Sequence, residues 1–375
     1  MSFYEKLGLQ PIINASETYT NLGGSLMDPR TLEAMNDAAS GFIDLDKLIS
    51  AVCQRAAVLT KNETAFVTTG AAGGVILAAA ACMCGDDLTR MDMLPATEGF
   101  EKNEIIIYDG AFRDLVPYWK LIKLTGAKII CIKPSLTAIS AAVNEHTAAF
   151  FMFPASLYEK GIPTCEETIP VLKRLGVTAV VDVAAQLPPI SNLWYYTQRL
   201  GADAAIFSGG KHIRGPQSTG LIVGRPDFIN SCRLLASPNC RIGRAFKTGK
   251  EELAGFITAL EIFVNESEDD KFDRQLRILQ KLEKTLSENK GLSTKMLYEG
   301  RLGTHQPLLL VTLPEGKTAE ACNRFTRNYK TPIDVGVYPP EFEMPDDVIF
   351  LNAYNLKQDE EDIVACAITE YINEI

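Results

Sequence analysis

The stretch DAAIFSGGKHIRGPQSTGLIVG, residues 203–224, holds two apolar runs on either side of a loop rich in glycine, arginine and proline. Short apolar runs bounded by turn residues are typical of buried strands. One lysine, Lys211, lies in the loop behind Gly209 and Gly210, with Ser208 three residues before it. A surface lysine needs no such setting, whereas glycines let a backbone approach a ligand closely. The stretch therefore predicts a sheet with a functional lysine at a strand end.

The same pattern recurs through the central part of the chain. Helical patterns separate most of the apolar runs, and CEETIPVLKRLG at 165–176 is one of them. The runs are EIIIYD at 104–109, AKIICI at 127–132, TAAFFMF at 147–153, TAVVDV at 178–183, DAAIFS at 203–208 and GLIVG at 220–224. Strands that alternate with helices predict an α/β fold, a three-layer sandwich with helices on both faces of a mostly parallel sheet.

The composition changes after Gly249. A long amphipathic helical pattern, interrupted near 265–270, is followed by the strand-like runs QPLLLVTL and DVIFLNAYNL and by a final helix. We therefore expect three parts. They are an N-terminal arm over 1–30, a large domain over 31–255 and a smaller C-terminal α+β domain over 256–375.

The overall composition narrows the class of protein. Of the 375 residues, 46% are hydrophobic and 22% are charged, which is ordinary for a soluble globular protein. A net charge of -10 argues against general nucleic-acid binding. The nine cysteines have no metal-ligand spacing, so we expect reduced thiols, a cytoplasmic protein and no metal site. No signal peptide is visible, and the apolar run at 65–83 fits a buried helix better than a membrane span.

Three candidate ligand-binding features follow predicted strands, where open parallel sheets bind ligands. The first is VTTGAAGG at 67–74, in which Thr69, Gly70 and Ala71 lie between a strand and a helix of small residues. Free N–H groups at a helix N-terminus bind phosphate. The alternative is close helix packing without any ligand, and the motif alone does not decide between them.

The second feature is TAVVDVAAQLPP at 178–189, where Asp182 closes an apolar strand. A buried lone carboxylate is costly, so Asp182 needs a partner or water. The alternatives are a helix cap or a structural ion pair. The small Ala184 two residues later leaves room for a flat ring whose protonated nitrogen Asp182 would bind, and Gln186 is a further candidate in this segment.

The third feature is the lysine loop itself. A lysine at a desolvated, partly cationic site has a lowered pKa, which favours imine formation; the alternatives are a phosphate-binding or a surface lysine. Together the three features suggest one ligand, a phosphorylated, cationic, heteroaromatic aldehyde. Pyridoxal phosphate has this chemistry. Thr69 to Gly73 and Ser208 would bind its phosphate, Asp182 its ring nitrogen and Lys211 its aldehyde carbon.

The segments TTGAAGG, DVAAQLPP and FSGGKHIRGPQSTG, in this order, resemble fold-type I pyridoxal-phosphate enzymes. More narrowly, the chain is similar to the branch related to bacterial selenocysteine synthase, the seryl-tRNA selenium transferase, and especially to its D-glucosaminate-6-phosphate ammonia-lyase-like members. NASETYTNLGG and GRAFKTGKEE also resemble this branch. The resemblance implies a Schiff base on Lys211, a pyridine contact from Asp182 and a phosphate contact from Ser208.

Two departures from the family pattern stand out. Related enzymes often carry a ring-stacking histidine after the strand at 104–109, but YDGAFRDLVPYW has none, which makes Phe112 the candidate. The chain is also shorter than typical selenium transferases, and we expect it to lack their N-terminal tRNA-binding domain.

The segment from Lys211 to Lys250 is locally basic. It holds eight lysines and arginines and one acidic residue, a net charge of +7. Part of this is a solvated basic face, but the bias favours an anionic ligand. The candidate substrate-binding residues are Arg214, Arg244, Lys247 and Lys250.

We expect a pyridoxal-phosphate-dependent lyase that eliminates ammonia from an anionic amino acid or amino-sugar acid and leaves a 2-oxo acid. Its partners would be a small anionic amino substrate and further copies of itself, as a homodimer or higher homo-oligomer, with no membrane and no nucleic acid. The alternatives are a racemase, an aminotransferase, a seryl-tRNA selenium transferase-like enzyme or a non-catalytic relative.

Overall fold

The computed structural model describes residues 3–110, 118–154, 161–339 and 342–374. The chain divides into two units. The central unit is Ser25–Asn265, and the terminal unit combines Met1–Gly24 with Glu266–Ile375.

The helices and strands are as follows. The helices are α1 (Phe3–Lys6), α2 (Pro29–Ala39), α3 (Leu45–Leu59), α4 (Gly70–Cys84), α5 (Leu88–Met93), α6 (Trp119–Ile122), α7 (Leu136–Ala142), α8 (Cys165–Leu175), α9 (Asn192–Trp194), α10 (Pro226–Leu235), α11 (Lys250–Asn265), α12 (Glu268–Ser287), α13 (Ala319–Arg327) and α14 (Glu360–Asn373). The strands are β1 (Ile13–Ala15), β2 (Thr64–Thr69), β3 (Glu104–Tyr108), β4 (Lys128–Ile132), β5 (Thr147–Met152), β6 (Thr178–Asp182), β7 (Ala204–Ser208), β8 (Thr219–Gly224), β9 (Ser293–Leu297), β10 (Leu308–Thr312), β11 (Ile333–Val337) and β12 (Val348–Leu351).

The central unit is built on a seven-stranded sheet in the order β2-β8-β7-β6-β5-β3-β4. Strand β8 runs antiparallel to both of its neighbours, while β7, β6, β5, β3 and β4 pair in parallel. This confirms the predicted α/β class with a mostly parallel sheet. It also places the carboxyl ends of β6 and β7 side by side, since these two strands are neighbours.

Helix α4 packs closely against the middle of this sheet. It contacts β2, β5, β6, β7 and β8, and a Cβ atom on Gly74 would lie 2.8 Å from Cγ2 of Ile206. The apolar run at 65–83 is thus strand β2 followed by a buried helix of 15 residues. Within the described ranges, no helix combines the length and apolar character needed to cross a membrane.

The terminal unit has a five-stranded sheet in the order β1-β11-β12-β10-β9. Strand β1, from the N-terminal arm, pairs in parallel with β11, while the other neighbours are antiparallel. Helices α12, α13 and α14 pack around this sheet, and Leu279, Leu309, Ile349 and Ile368 are fully buried there.

The two units differ from the predicted parts in two places. The arm was expected as a separate segment, but β1 gives it a place in the second sheet. The large unit extends to Asn265 rather than to residue 255, because α11 is a single helix that packs on α2 and α3. The predicted interruption of the long helical pattern lies between Asn265 and Glu268, where α11 ends and α12 begins.

Candidate active site

The loop that carries Lys211 begins directly after β7. The N–H of Gly209 donates a 2.8 Å hydrogen bond to the carbonyl oxygen of Thr219 at the start of β8. A Cβ atom on Gly209 would lie 2.2 Å from Oγ1 of Thr219, and one on Gly210 would lie 2.4 Å from Cα of Gln217. No other residue fits at these two positions without moving the backbone. The glycines therefore fold the loop tightly and fix the backbone at Lys211.

Ser25 holds this loop from the opposite side. Its N–H donates to the carbonyl oxygen of Gly210 at 3.1 Å. Its hydroxyl donates to the carbonyl oxygen of Lys211 at 2.6 Å and lies 3.1 Å from that of Gly210. Sequence reasoning missed Ser25, because its partners are backbone carbonyls far along the chain. Its contacts make it a positioning residue for the lysine loop.

Asp182 ends β6, next to the strand that leads into the lysine loop. Its Oδ1 atom accepts a 3.1 Å hydrogen bond from the N–H of Ala184. Burial raises the pKa of Asp182 to about 6, although the Ala184 N–H and the positive charge of Lys211 both lower it. Among the described residues, no side chain forms an ion pair with Asp182. Burial thus destabilises the charged carboxylate by more than the Ala184 N–H and the positive charge of Lys211 stabilise it.

The predicted phosphate site is the first turn of α4. Gly70 has a φ of 62°, and its N–H donates to the carbonyl oxygen of Ser218 at 2.7 Å. Gly220 on β8 lies directly against this turn, since a Cβ atom there would be 2.4 Å from the carbonyl carbon of Gly70. The N–H groups of Ala71 and Ala72 belong to the first turn and have no acceptor within the helix. They are the backbone donors available to an anion.

Ser208 and Thr69 lie near this turn in different ways. Ser208 pairs with Gly220 in the β7–β8 register, which brings it close to the first turn of α4. The hydroxyl of Thr69 donates a 2.5 Å hydrogen bond to the carbonyl oxygen of Phe246. Thr69 therefore fastens the segment before α11 to the helix, and its hydroxyl proton is already used.

Ala184 and Gln186 follow Asp182 as predicted, but they differ in environment. Ala184 is half-buried, whereas Gln186 is buried and its Nε2 donates to the carbonyl oxygen of Pro154 at 3.1 Å. Ala184 is therefore partly accessible beside the carboxylate. The side chain of Gln186 instead links the turn after β6 to the end of the segment after β5.

The four predicted substrate-binding cations differ in exposure and in whether their charged groups already have a partner. Arg214 has a φ of 60°, and its Nε donates to the carbonyl oxygen of Leu26 at 2.7 Å. Lys250 donates to the carbonyl oxygen of Ala38 and forms an ion pair with Glu251 at 2.6 Å. Two of the four are exposed and form no ion pair within the described part of the chain. They are Arg244 and Lys247.

Glu252 is a second residue that sequence reasoning missed. Its Oε1 accepts a 2.8 Å hydrogen bond from the hydroxyl of Ser218, and its Oε2 accepts one of 2.5 Å from the N–H of Gly249. Glu252 thus connects the end of the lysine loop to the segment that carries Arg244 and Lys247.

The predicted ring-stacking residue, Phe112, lies outside the described residues. Tyr118 lies close enough to Asp182 for the carboxylate charge to raise the pKa of its hydroxyl, with burial as the larger cause. His212, next to the lysine, is buried. Tyr118, which follows β3 in the chain, thus places an aromatic side chain near the carboxylate.

Two curated relatives and one solved structure are similar to this chain. A curated relative from Streptomyces sp., 5'-C-glycyluridine monooxygenase-decarboxylase, is 31% identical over 83% of this chain and 77% of its own length. D-glucosaminate-6-phosphate ammonia lyase from Salmonella typhimurium is 31% identical over 69% of each chain. A solved structure of D-glucosaminate-6-phosphate ammonia-lyase superposes over the full length of both chains with a TM-score of 0.84 at 24% identity, so the two folds are alike.

The family model described as L-seryl-tRNA selenium transferase matches residues 12–305, more than three quarters of the chain. The matched range contains Lys211, Asp182 and the first turn of α4, and it confirms the family resemblance that the sequence motifs predict. The chain belongs to the L-seryl-tRNA selenium transferase family.

Proposed function

We propose that this protein is a pyridoxal-phosphate-dependent lyase that releases ammonia from an anionic amino acid or amino-sugar acid. The observation that carries the proposal is the pair formed by Asp182 and Lys211 at the ends of two adjacent strands. A desolvated carboxylate with a raised pKa beside a lysine in a glycine-built loop is unfavourable for stability alone. Such an arrangement is expected where a ligand completes the charge balance.

The residues fit the cofactor in chemistry and in space. A protonated pyridine nitrogen would supply the cation that Asp182 lacks, and half-buried Ala184 leaves room beside it for a flat ring. At the other end, the N–H groups of Ala71 and Ala72 and the side chain of Ser208 would bind the phosphate. Gly220 lies against Gly70 and has no side chain, so it adds no side-chain atom to the phosphate end of the site.

Pyridoxal phosphate, when bound, stabilises negative charge on the carbon next to the substrate nitrogen. The Nζ atom of Lys211 would hold the cofactor at its aldehyde carbon, and the same amine would be the base that removes the proton from the substrate Cα. Asp182 would keep the ring nitrogen protonated throughout, because its carboxylate would place a negative charge beside the nitrogen.

The elimination conserves all atoms and electrons of the substrate and of one water. The Cα–H electrons form a double bond to Cβ, and a hydroxyl on Cβ leaves as water with the proton taken by Lys211. The resulting enamine tautomerises to an imine, and one water hydrolyses the imine to ammonia and a 2-oxo acid. The net change is the loss of ammonia from the substrate. Arg244 and Lys247 are exposed cations without a carboxylate partner in the described part of the chain, and they would bind the anionic groups.

The lyase reaction is favoured by the similarity to D-glucosaminate-6-phosphate ammonia lyase, which is 31% identical. A second candidate arises from the equally similar 5'-C-glycyluridine monooxygenase-decarboxylase. That reaction class would consume dioxygen and release carbon dioxide, so the two candidates differ in products that can be measured.

The deciding experiment is a spectral titration of the cofactor-loaded protein with anionic amino acids and amino-sugar acids, D-glucosaminate 6-phosphate included. We expect one substrate to shift the absorption band of the bound cofactor and to yield ammonia and 2-oxo acid in equal amounts without oxygen uptake. Lys211→Ala should abolish both the covalent band and the reaction, while Lys47→Ala, at an exposed position of α3, should retain both. Carbon dioxide release coupled to oxygen uptake would instead support the second candidate, and unchanged spectra in Lys211→Ala would contradict both.

We propose further that the protein is a cytoplasmic homodimer or higher homo-oligomer. The central unit exposes large apolar side chains that a second copy would cover, which are Leu26, Leu32, Phe42, Ile43 and Val58. The spacing of the nine cysteines favours reduced thiols, as expected in a reducing compartment. Light scattering of the eluted protein tests the assembly, and a monomer at micromolar concentration would contradict it.

A further inference from the structure

A buried cation lies in the terminal unit, in the loop after β9. Arg301 is only 8% exposed, and its Nε atom is buried without a hydrogen-bond partner. Across the described residues, no carboxylate forms an ion pair with it. Buried charges are normally paired, because taking an uncompensated ion out of water is costly. An unpaired, buried guanidinium therefore needs an explanation other than the stability of the fold.

Aromatic rings surround this guanidinium. Its central carbon lies 5.7 Å from the ring centroid of Tyr19, 5.2 Å from that of Phe342 and 5.1 Å from that of Phe350. The faces of aromatic rings attract a cation, so they hold the group in this position. They do not replace the in-plane hydrogen bonds that a guanidinium fork offers to an anion.

The loop that presents Arg301 is tightly closed. The N–H of Gly300 donates to the carbonyl oxygen of Thr304 at 2.8 Å, and a Cβ atom on Gly300 would lie 2.2 Å from Oγ1 of Thr304. The same Oγ1 accepts a 2.9 Å hydrogen bond from Nε2 of Gln306. Arg301 is therefore presented by a fixed backbone, and it needs little ordering to bind a ligand.

Nearby carboxylates are engaged elsewhere. Glu17 influences the same region, since its charge raises the pKa of Tyr338, but it accepts hydrogen bonds from Nδ2 of Asn352 at 3.2 Å and from the N–H of Thr18 at 3.3 Å. Asp334 is paired with Arg327 at 2.5 Å. Neither carboxylate is in ion-pair contact with Arg301.

Two phenol groups lie in the same cluster: the ring centroid of Tyr19 is 5.7 Å from the guanidinium carbon, and that of Tyr338 is 4.9 Å from the ring centroid of Phe350. Burial raises the pKa of Tyr19 to about 12 and that of Tyr338 to about 12, with Arg301 lowering both. Both hydroxyls therefore keep their protons near neutral pH and remain available as donors. A planar guanidinium fork with neutral hydroxyl donors beside it is the donor set that suits a carboxylate or a phosphate.

We propose that Arg301, with the hydroxyls of Tyr19 and Tyr338, is a binding site for a small oxyanion of the carboxylate or phosphate class. The anion would be a free ion of this class or an ionised group of a larger ligand. The shared chemistry is a planar or tetrahedral oxyanion that accepts hydrogen bonds from the guanidinium. The site does not depend on the proposed lyase reaction.

The test uses inorganic phosphate and acetate as probes on the cofactor-loaded full chain, at constant ionic strength. Arg244→Ala/Lys247→Ala serves as the background, so that the proposed substrate cations do not contribute. We expect Arg301→Gln to weaken the binding of at least one probe about tenfold or more in calorimetry, as loss of a charge-assisted contact does. The control Arg324→Gln, which removes an exposed arginine of α13, should leave binding unchanged.

Glu17→Gln separates this proposal from a purely structural role of Arg301. If Arg301 binds an added oxyanion, removing the nearby negative charge should tighten the binding of the probe. Arg301→Lys keeps the charge and should retain weak binding of the probe. Loss of binding in Arg301→Gln is then attributed to the lost charge, because a substitution at the same position still binds. Unchanged probe affinity in Arg301→Gln, or no gain in Glu17→Gln, would overturn the proposal.

Kinetics with the amino substrate then identify the source of the anion. If the substrate carries it, Arg301→Gln raises KM, and free phosphate or acetate competes with the substrate. If the ion is separate, the probes still bind to the parent protein but do not compete. Failure of the lyase reaction itself leaves the probe titrations intact, so the two proposals are tested separately.

Discussion

The hydroxyl of Ser25 donates a 2.6 Å hydrogen bond to the backbone carbonyl oxygen of Lys211. The same hydroxyl lies 3.1 Å from the carbonyl oxygen of Gly210, so one side chain orders two consecutive peptide units. Because these bonds act on the backbone, they set where the lysine side chain begins without changing its chemistry. Ser25 is a positioning residue whose role differs from that of Lys211.

Ser25→Ala should therefore reduce activity without abolishing it. Losing one or two hydrogen bonds lowers the free energy of unfolding by about 1–2 kcal/mol, and we expect kcat to fall several-fold while the cofactor band remains. Urea unfolding and steady-state kinetics provide the measurements. Ser40→Ala, which removes a 2.7 Å bond to the carbonyl oxygen of Asp37 at the end of α2, is the matched control. Complete loss of the covalent band in Ser25→Ala would show that the side chain does more than position the loop.

Asp182→Asn should have opposite effects on stability and on function. The pKa of Asp182 is raised from 3.8 to about 6 in the folded protein, so the folded state retains a proton that the unfolded chain releases. The stabilising effect of that proton is complete below the unfolded pKa and is lost as pH rises through about 6. At pH 8, the cofactor-free Asp182→Asn protein should be more stable than the parent by about 1–3 kcal/mol.

Urea unfolding of the cofactor-free proteins at pH 5 and pH 8 measures this difference. Asp86→Asn, an exposed carboxylate next to α5, should have no such effect. In the presence of pyridoxal phosphate the order should reverse, because the asparagine no longer provides an anion for the ring nitrogen, and activity should fall strongly. A destabilised cofactor-free Asp182→Asn protein at pH 8 would contradict the assignment of an under-compensated carboxylate.

The central sheet was predictable because buried parallel strands are nearly continuous apolar runs. The runs at 104–109, 147–153 and 178–183 correspond to β3, β5 and β6 within one or two residues. Strands β9 and β11 were not predicted. The first, STKML, is a partly exposed strand at the edge of its sheet, and the second contains Asp334, whose charge is balanced by a partner on α13.

The placement of the candidate residues was predictable to the extent that they lie at strand ends. Asp182 is the last residue of β6, Lys211 lies three residues beyond β7, and α4 begins directly after β2. The parallel pair β6 and β7 therefore brings Asp182 and Lys211 to one edge of the sheet. Ser25 and Glu252 were not predictable in this way. Ser25 bonds to a backbone carbonyl 186 residues away, and Glu252 bonds to a serine 34 residues away. Such contacts have no sequence pattern.

Gly220→Ala should disturb the predicted phosphate end of the site. A Cβ atom at this position would lie 2.4 Å from the carbonyl carbon of Gly70 and 2.6 Å from the nitrogen of Ala71, both backbone atoms that cannot move aside. We expect a loss of about 1–3 kcal/mol in the free energy of unfolding and weaker binding of pyridoxal phosphate. Thermal unfolding and cofactor titration test this. Gly41→Ala, with no atom within 4 Å of the added carbon, should change neither quantity.

Arg244→Ala and Lys247→Ala should each raise KM for an anionic substrate by about tenfold or more, since each removes a charge-assisted contact. In the proposed mechanism the chemical step depends on Lys211 and Asp182, so kcat should change much less. Lys250→Ala should instead lower stability, because its ammonium group is already bound to Ala38 and Glu251.

The measurement is steady-state kinetics at low and high ionic strength, where a substrate held by exposed cations loses affinity as salt increases. Arg174→Ala, on an exposed position of α8, provides the control for a general change in surface charge. If KM in Arg244→Ala and Lys247→Ala stays at the Arg174→Ala value, these cations belong to the solvated basic face. The anionic part of the substrate would then have to bind to other residues.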